Sequence, residues 1–311
     1  MTSLGICTSR RHPDELTWET RRLYEEACAR YDAVRLIDPR AVTFAFVRGE
    51  ATPRLEHRGE DVAGLTTLIV RSTTGREAAT AVLVRALRLC GCDVFDPVER
   101  FAVGKASKLL TTLTRFQSGA GTSTYVSFSR DGAAALLRRL GAEGRLPLLL
   151  KPASGRKGRG IQAIDDVDGG LRLLQDHFGY REYADEPFFL QDLVAFRKEY
   201  RVLVLDGVAL AVVEKVRQPG SMAANAARGA EFVAVDAPDV VRAALPHVSG
   251  EGVLGVDVGV DTQGDVHVIE ANRAPEWAAF EAATGLNVAR LVIDRALQRQ
   301  GRAPGGGRAS G

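Results

Sequence analysis

The chain has 311 residues, 45% of them hydrophobic, with 41 Lys+Arg against 39 Asp+Glu. That length accommodates two ordinary domains with sizeable cores, and a net charge of +2 gives no global signature of a nucleic-acid or membrane-surface binder. No apolar run approaches the roughly 20 residues that cross a bilayer, and the N-terminus lacks a charged stretch followed by an apolar one, so a cytoplasmic setting with no membrane partner is the expectation.

Leu4-Gly-Ile-Cys7 suits a buried first strand, and His12 to Asp32 then reads as a helix with Leu16, Leu23 and Ala27 turned inward. Val34 to Asp38 is a second strand. After a polar, extended segment comes the strand Leu65 to Arg71, then a helix over Ala79 to Leu89 and a short strand at Val94-Phe95. This alternation predicts a parallel α/β domain with ligands near the C-terminal ends of its strands. Arg71 sits at such an end, as a clamp for a substrate carboxylate or as an ordinary solvated or capping arginine. Cys90-Gly-Cys92 reads as a buried turn, and the four cysteines form no paired CxxC sets, which counts against structural zinc.

Phe101 to Ser118 contains a further helix, with Leu109, Leu110, Leu113 and Phe116 on one face. Lys108 stands at its first turn, where a helix N-terminus favours anions. Asp131 is expected to cap a helix through Leu140, closed by Gly141. The apolar run Leu146-Pro-Leu-Leu-Leu then delivers Lys151 into Pro-Ala-Ser-Gly155-Arg-Lys-Gly158-Arg-Gly160. Glycines let the backbone approach a polyphosphate closely while amides and basic side chains supply charge; a bare hairpin turn would look similar. The spacing is neither the dinucleotide-binding GxGxxG nor the GxxxxGK[ST] phosphate loop.

Phe188 to Val194 is a buried strand running into polar residues. Glu199 to Leu205, Asp206-Gly207 and Val208 to Lys215 form a hairpin, with Asp-Gly as the strongest short-range turn signal in the chain. This second domain is therefore not another doubly wound sheet. Gly220 to Ala230 is a small-residue loop carrying Asn225 and Arg228.

Val253 to Pro275 reads as a second hairpin around Thr262-Gln-Gly-Asp265. If Asp261 and Val266 close the loop, Asp257 pairs with Glu270. Asp257, Glu270 and Asn272 then share one face, while Val256, Val258, Val260, Ile269 and Ala271 face a core. Three oxygen ligands on rigid strands suit a hard divalent cation such as Mg²⁺; the bland alternative is the solvated face of a hairpin. Asn287 caps a last helix, Val288 to Leu297, and the glycine-rich residues 301–311 are expected to be a disordered tail.

Together these stretches resemble the ATP-grasp superfamily, most closely its RimK-type carboxylate–amine (alpha-L-glutamate or peptide) ligases. The resemblance spans the chain to about residue 300. It rests on an ordered set: Ser107-Lys108, Lys151 with Gly155-x-x-Gly158-x-Gly160, Gln191-Asp192-Leu193-Val194, Glu199-x-Arg201, Asn225-x-x-Arg228-Gly229, Gly255-Val-Asp257, Glu270-Ala-Asn272 and Thr284-Gly285-x-Asn287.

The resemblance implies a mixed α/β and α+β architecture. A parallel α/β pre-ATP-grasp domain (1–99) would precede a two-subdomain ATP-grasp fold (100–300), with a lid at about 120–190 and a metal-binding part at about 191–300. By position, Lys108 and Lys151 would hold the phosphates under the lid glycines Gly155, Gly158 and Gly160. Gln191, Asp192, Leu193 and Val194 would be the hinge at adenine, and Glu199 would bond the ribose. Asp257, Glu270 and Asn272 would ligate Mg²⁺, with Mn²⁺ as the alternative and two ions expected. Arg201, Lys215, Asn225 and Arg228 would face the γ-phosphate and the reacting carboxylate.

The implied reaction is ATP-dependent amide-bond formation through an acylphosphate, releasing ADP and phosphate. Its substrates would be small-molecule or peptide carboxylates and amines, a carrier protein or a protein C-terminus, and a homodimer or homotetramer is in keeping with the family. Replacing Asp257 or Glu270 by Ala is expected to abolish ADP formation and leave the fold intact. The sequence departs from the family's Asn-x-Ser-Pro-Gly, reading Asn272-Arg-Ala-Pro-Glu276, and Ala223-Ala224 replace the arginine often found before Asn225. Those changes put the acceptor chemistry in doubt. One rival reading is a non-catalytic ATP-binding module acting as sensor or scaffold. The other, a nucleic-acid binder using Arg156, Lys157, Arg159 and the tail, is disfavoured by near-zero net charge.

Overall fold

The structure, a computed structural model, describes residues 1–71, 75–95, 109, 112, 113, 116, 122–151, 161–179, 187–216, 231–247 and 251–302. It begins with β1 (Ser3–Cys7), helix α1 (Trp18–Cys28) and β2 (Ala33–Ile37). Leu16, Leu23 and Ala27 are buried as their spacing requires, although α1 is shorter than the sequence pattern and a separate turn, Pro13–Glu15, precedes it. Next come β3 (Val42–Ala45), β4 (Arg54–His57) and β5 (Glu60–Asp61), a small antiparallel sheet in what reads from sequence as a polar extended segment. It is pinned inward by Val42, Leu55 and Val62, with Phe44 packed against them.

Strand β6 (Thr67–Val70), helix α2 (Glu77–Leu89) and β7 (Asp93–Phe95) complete a four-stranded parallel sheet, ordered β2-β1-β6-β7. Gly91 leaves α2 with φ +85°, delivering Cys92 into the core. Burial, then the neighbouring Asp93, pushes the Cys92 thiol up to about 12, so it stays protonated and inert at neutral pH.

A second sheet, ordered β10-β9-β11-β8 and antiparallel throughout, is built from β8 (Thr124–Ser127), β9 (Leu148–Lys151), β10 (Gln162–Ile164) and β11 (Phe188–Asp192). Helices α3 (Arg130–Ala142) and α4 (Val167–Gly179) pack beside it, around Leu137, Leu140, Leu150, Ile164, Leu174 and Leu190. The cap of α3 is Ser129, whose hydroxyl accepts from Gly132 N at 3.1 Å; Asp131, expected in that role, lies inside the first turn. Ser129 has the extended backbone a cap needs.

The third sheet is five-stranded and antiparallel, β14-β13-β12-β15-β16. Its strands are β12 (Phe196–Leu205), β13 (Val208–Val216), β14 (Glu231–Val235), β15 (Val253–Asp261) and β16 (Val266–Asn272), with helices α5 (Pro238–Ala244), α6 (Ala278–Thr284) and α7 (Val288–Arg302). Asp206 and Gly207, at φ +47° and +78°, make the tight turn that their sequence announces. One face is a dry core of Val202, Val204, Val256, Val258 and Val268 under α5. On the other face Leu203, Leu205, Val213 and Val253 pack on Trp277, Phe280 and α7 and, in the same cluster, on Leu4, Ile6, Leu23 and Phe95 from β1, α1 and β7.

Polar clamps reinforce that shared core. Arg299 on α7 grips Asp93 of the first sheet at 2.7 and 3.0 Å and reaches Asp206 in the β12–β13 turn at 3.4 Å. Arg295 also bonds Asp206, at 2.6 Å, and the Asp206 side chain is only 3% exposed. Asn287 caps α7 through Arg290 N at 3.0 Å. Because hydrogen bonds to charged groups are worth about 1.5–3 kcal/mol each, Arg299→Ala should lower unfolding stability by roughly 2–3 kcal/mol; an unchanged urea midpoint would show that the clamp contributes nothing.

Candidate active site

Side chains of adjacent strands at matched register share a face. Strand β12 pairs Arg201 with Asp257 on β15 and Arg201 with Val213 on β13, so Lys215, two residues beyond Val213, stands beside them. Glu199 pairs with Gly259 and projects the same way, partly buried. These residues continue the very face whose other end, Leu203 to Leu205, lies under Trp277 and α7.

Its centre is Asp257, 6% exposed. Arg201 grips both carboxylate oxygens, Nε to Oδ1 at 2.8 Å and Nη2 to Oδ2 at 2.9 Å, and Lys215 Nζ reaches Oδ1 at 2.8 Å. Burial pushes the Asp257 carboxyl up, but the two cations and their hydrogen bonds outweigh it and hold the group at about 2. Burial pulls the Arg201 guanidinium down; Asp257, then Glu270 and Glu276, overcome this and raise it.

The β15–β16 hairpin brings Asp257 and Glu270 into direct register, as expected, by a different route. The strands close at Val260 and Val266, one step from the expected Asp261 and Val266. A bulge beside Asp257 absorbs Ile269 and restores the pairing. Accordingly Val268, not Ile269, fills the core position opposite Val258. Asp261 is what sets the loop: its Oδ1 accepts the amides of Gln263 and Asp265, each at 2.9 Å, and its Oδ2 lies 2.8 Å from His267 Nε2. Glu270 is exposed, and Asn272 Nδ2 donates to Glu270 Oε1 at 2.8 Å. The donor set is two carboxylates and an amide, all hard oxygens on one face, which fits a divalent cation. Asp257 must share its carboxylate with Arg201 and Lys215. Among the described residues no cluster of three His, Cys, Asp or Glu side chains forms.

Glycines flank Asp257 on this face. A Cβ at Gly255 would stand 2.8 Å from Pro275 Cβ, and one at Gly259 would stand 2.4 Å from the Phe196 ring. Pro275 thus lies flat on β15 beside Arg201, walling one end of the site. Arg71 fixes that wall: it is 8% exposed, donates from Nη2 to Pro275 O at 3.1 Å and stacks 4.4 Å from the Trp277 ring. This replaces both sequence readings of Arg71. It is neither solvated nor aimed at open cleft but braces the chain just past Asn272. Trp277, fully buried, carried no signal in its spacing.

On the second sheet Lys151 and Gln191 share a face, and Lys151 Nζ donates to Gln191 Oε1. Gln191 is buried and also donates to Thr124 at 3.3 Å. Asp192 ends β11, held by Arg145 at 2.7 Å; Leu193 is exposed and Val194 partly buried. A cleft of about 500 Å³ opens here between Arg145, Asp192, Leu193, Val194 and the hairpin tip Asp261–Gln263. Asp257, Glu270 and Asn272 lie farther along the hairpin and do not line it. Lys108, Gly155, Gly158, Gly160, Asn225 and Arg228 lie outside the described residues. The fold thus brings Lys151 to Gln191, and sets Arg201, Lys215 and Glu199 on the sheet face where the sequence pattern places Asp257, Glu270 and Asn272.

Residues 143–291 match a family model described as an ATP-grasp domain. A probable alpha-L-glutamate ligase of Syntrophotalea carbinolica is 25% identical over 297 residues, spanning 93% of each chain. Among solved structures, the ATP-grasp ligase PsnB, complexed with a phosphomimetic variant of its minimal precursor, Mg and ADP, gives a TM-score of 0.67 at 18% identity, over 97% of this chain and 99% of that one. The macrocyclase MdnC of Microcystis aeruginosa, bound with precursor peptide MdnA, gives 0.66 at 13% identity, over 96% and 100%. The parallel first sheet and the paired antiparallel sheets are therefore arranged as in these ATP-grasp ligases. The match to the ATP-grasp model covers a little under half of the chain, and the similarity to probable alpha-L-glutamate ligases runs nearly end to end.

The network changes what removal of Asp257 should do. Its folded pKa of about 2 lies below an unfolded value of about 3.9, so its stabilisation is complete above about pH 4 and is lost as pH falls toward 2. Asp257→Asn should erase that part of the acid-unfolding slope. By leaving two buried cations without a counter-charge, it should also destabilise the fold by about 3–5 kcal/mol at neutral pH. Identical acid-unfolding curves would refute the network. The expectation that Asp257→Ala spares the fold is corrected accordingly.

Proposed function

We propose that the chain is an ATP-dependent carboxylate–amine ligase acting on an amino acid, a peptide or a protein C-terminus. The observation that carries this is the face holding Arg201, Lys215, Asp257, Glu270 and Asn272, where two carboxylates and two cations balance. The probable alpha-L-glutamate ligases it resembles and the precursor peptides bound by PsnB and MdnC support a carboxylate of amino-acid or peptide type.

A substrate carboxylate oxygen attacks the γ-phosphorus of ATP, the bond to the β-phosphate oxygen breaks, and ADP leaves. An amine nitrogen then attacks the acyl carbon of the acylphosphate, phosphate departs with the C–O electron pair, and the amine proton goes to solvent. Positioning and charge neutralisation supply the catalysis. Lys108 and Lys151 hold phosphate oxygens beneath Gly155, Gly158 and Gly160. Gln191, Asp192, Leu193 and Val194 border the adenine, and Glu199 bonds the ribose. Asp257, Glu270 and Asn272 would hold Mg²⁺, which offsets charge on the β- and γ-phosphates. Arg201 and Lys215 keep Asp257 ionised and lend positive potential to the transferring phosphoryl group, with Asn225 and Arg228 on the substrate carboxylate. Covering the site excludes water, to which an acylphosphate is vulnerable.

The direct test is ADP and phosphate release from Mg·ATP with pooled amino acids and peptides, with mass spectrometry for a product at the summed mass less water. Glu270→Gln, an exposed change, should cut ADP release about 100-fold with an unaltered melting curve. Full turnover in that variant would sink the metal assignment.

A further inference from the structure

We propose that Arg145 is a positioning residue for nucleotide binding, fixing the end of β11 where the chain crosses from the second sheet to the third. The inference deepens the ligase reading and rests on its placement of the nucleotide along Gln191 to Val194. Only three residues, Leu193 to Ala195, separate the end of β11 from the start of β12. The direction of that link is therefore set by how Asp192 is held.

The backbone of Arg145 is anchored by the end of α3. Gly144, at φ +68°, donates its amide to Gly141 O at 3.1 Å, and Arg145 N reaches Leu140 O at 2.9 Å. Those two bonds are the ones that close a helix on a left-handed glycine. From that anchor the guanidinium reaches two further strands. Its Nη2 donates to Asp192 Oδ2 at 2.7 Å, to Tyr125 OH at 2.7 Å and to Ser123 Oγ at 3.2 Å. The group also lies 5.9 Å from the centroid of the Tyr125 ring. Asp192 N in turn donates to Ser123 O at 3.0 Å, so the start of β8 and the end of β11 meet around one arginine.

Asp192 gives this contact its leverage. Its Oδ1 is buried and accepts no hydrogen bond, and among the described residues Arg145 is the cation that meets its Oδ2. Without the guanidinium the carboxylate must turn to water, because a charge held away from solvent and unpaired is strongly unfavourable. The last residue of β11 turns with it. Gln191, one residue earlier, has its side chain on the opposite face, where it accepts from Lys151 and donates to Thr124. A twist at Asp192 thus displaces the partner of Lys151 as well as the residues that border the adenine. Arg145 also lines the cleft of about 500 Å³ whose far wall is the hairpin tip Asp261–Gln263, so it stands where the second and third sheets face each other. Because the Arg145 side chain is 40% exposed, its ion pair adds little to global stability, which separates positioning from folding.

The test titrates the full chain with Mg·ATP by calorimetry, in the wild type, Arg145→Ala, Arg145→Lys, Asp192→Ala and the Arg145→Ala, Asp192→Ala double variant. Arg145→Ala should weaken binding about tenfold or more, with a urea midpoint close to that of the wild type. Arg145→Lys, which keeps the charge, should recover part of the loss. Because Arg145 acts through Asp192, adding Arg145→Ala to Asp192→Ala should weaken binding by less than about twofold, a non-additivity that a general packing role would not produce. Wild-type affinity in Arg145→Ala would overturn the inference. Equal losses in the two backgrounds would also overturn it, making Arg145 a support of the fold at large. The expected affinities without turnover on any substrate pool would sink the ligase reading and still uphold the positioning role. A wild type that binds no Mg·ATP would remove both.

Discussion

The buried carboxylate of Asp257, shared by Arg201 and Lys215, is the interaction on which the rest of the arrangement depends. Burying one anion with two cations is favourable only when every lone pair and proton is used, and here a bidentate arginine and a lysine approach one carboxylate from two neighbouring strands. The network fixes the register of β12 against β15 and β13. It also keeps an ionised oxygen donor beside Glu270 and Asn272 at any pH a cell reaches.

That network is possible because a single sheet face changes character along its length. From Leu205 to Leu203, and at Val213 and Val253, the face is dry under Trp277, Phe280 and α7. Farther along the same strands it carries Arg201, Lys215 and Asp257. The boundary is Pro275 on Gly255, held by Arg71 just past β6 of the parallel sheet. The parallel first sheet therefore acts on the site through one arginine and the tryptophan it stacks on, while Arg299 and Gln300 join the same two parts near the end of α7.

The same construction separates rigid from variable elements. The Asp257 network and the bulged hairpin are over-determined by strand pairing. The residues past Asn272 are fixed in path by Arg71 and Trp277, and between those fixed points Glu276 presents an exposed side chain.

Much of this was legible in the chain. Alternating apolar runs pointed to the parallel sheet, Asp206-Gly207 to its hairpin, and the paired acids Asp257 and Glu270 to the register at the site, because side-chain period and turn chemistry are local properties. The sheet β3-β4-β5 was not read from the sequence: Val42 and Phe44 alternate in β3, but β4 and β5 hold a single apolar residue, Leu55, and show no period. Nor was the bulge at Ile269, which is set by the close of the loop around Asp261. The partners of Asp257 and Arg71 were decided only by tertiary structure: Arg71 meets Pro275 204 residues along the chain, and no local pattern encodes which distant strand end a buried guanidinium will face. The sequence determined which residues can carry charge to this sheet face; packing decided which of those charges neutralise each other and which stay exposed.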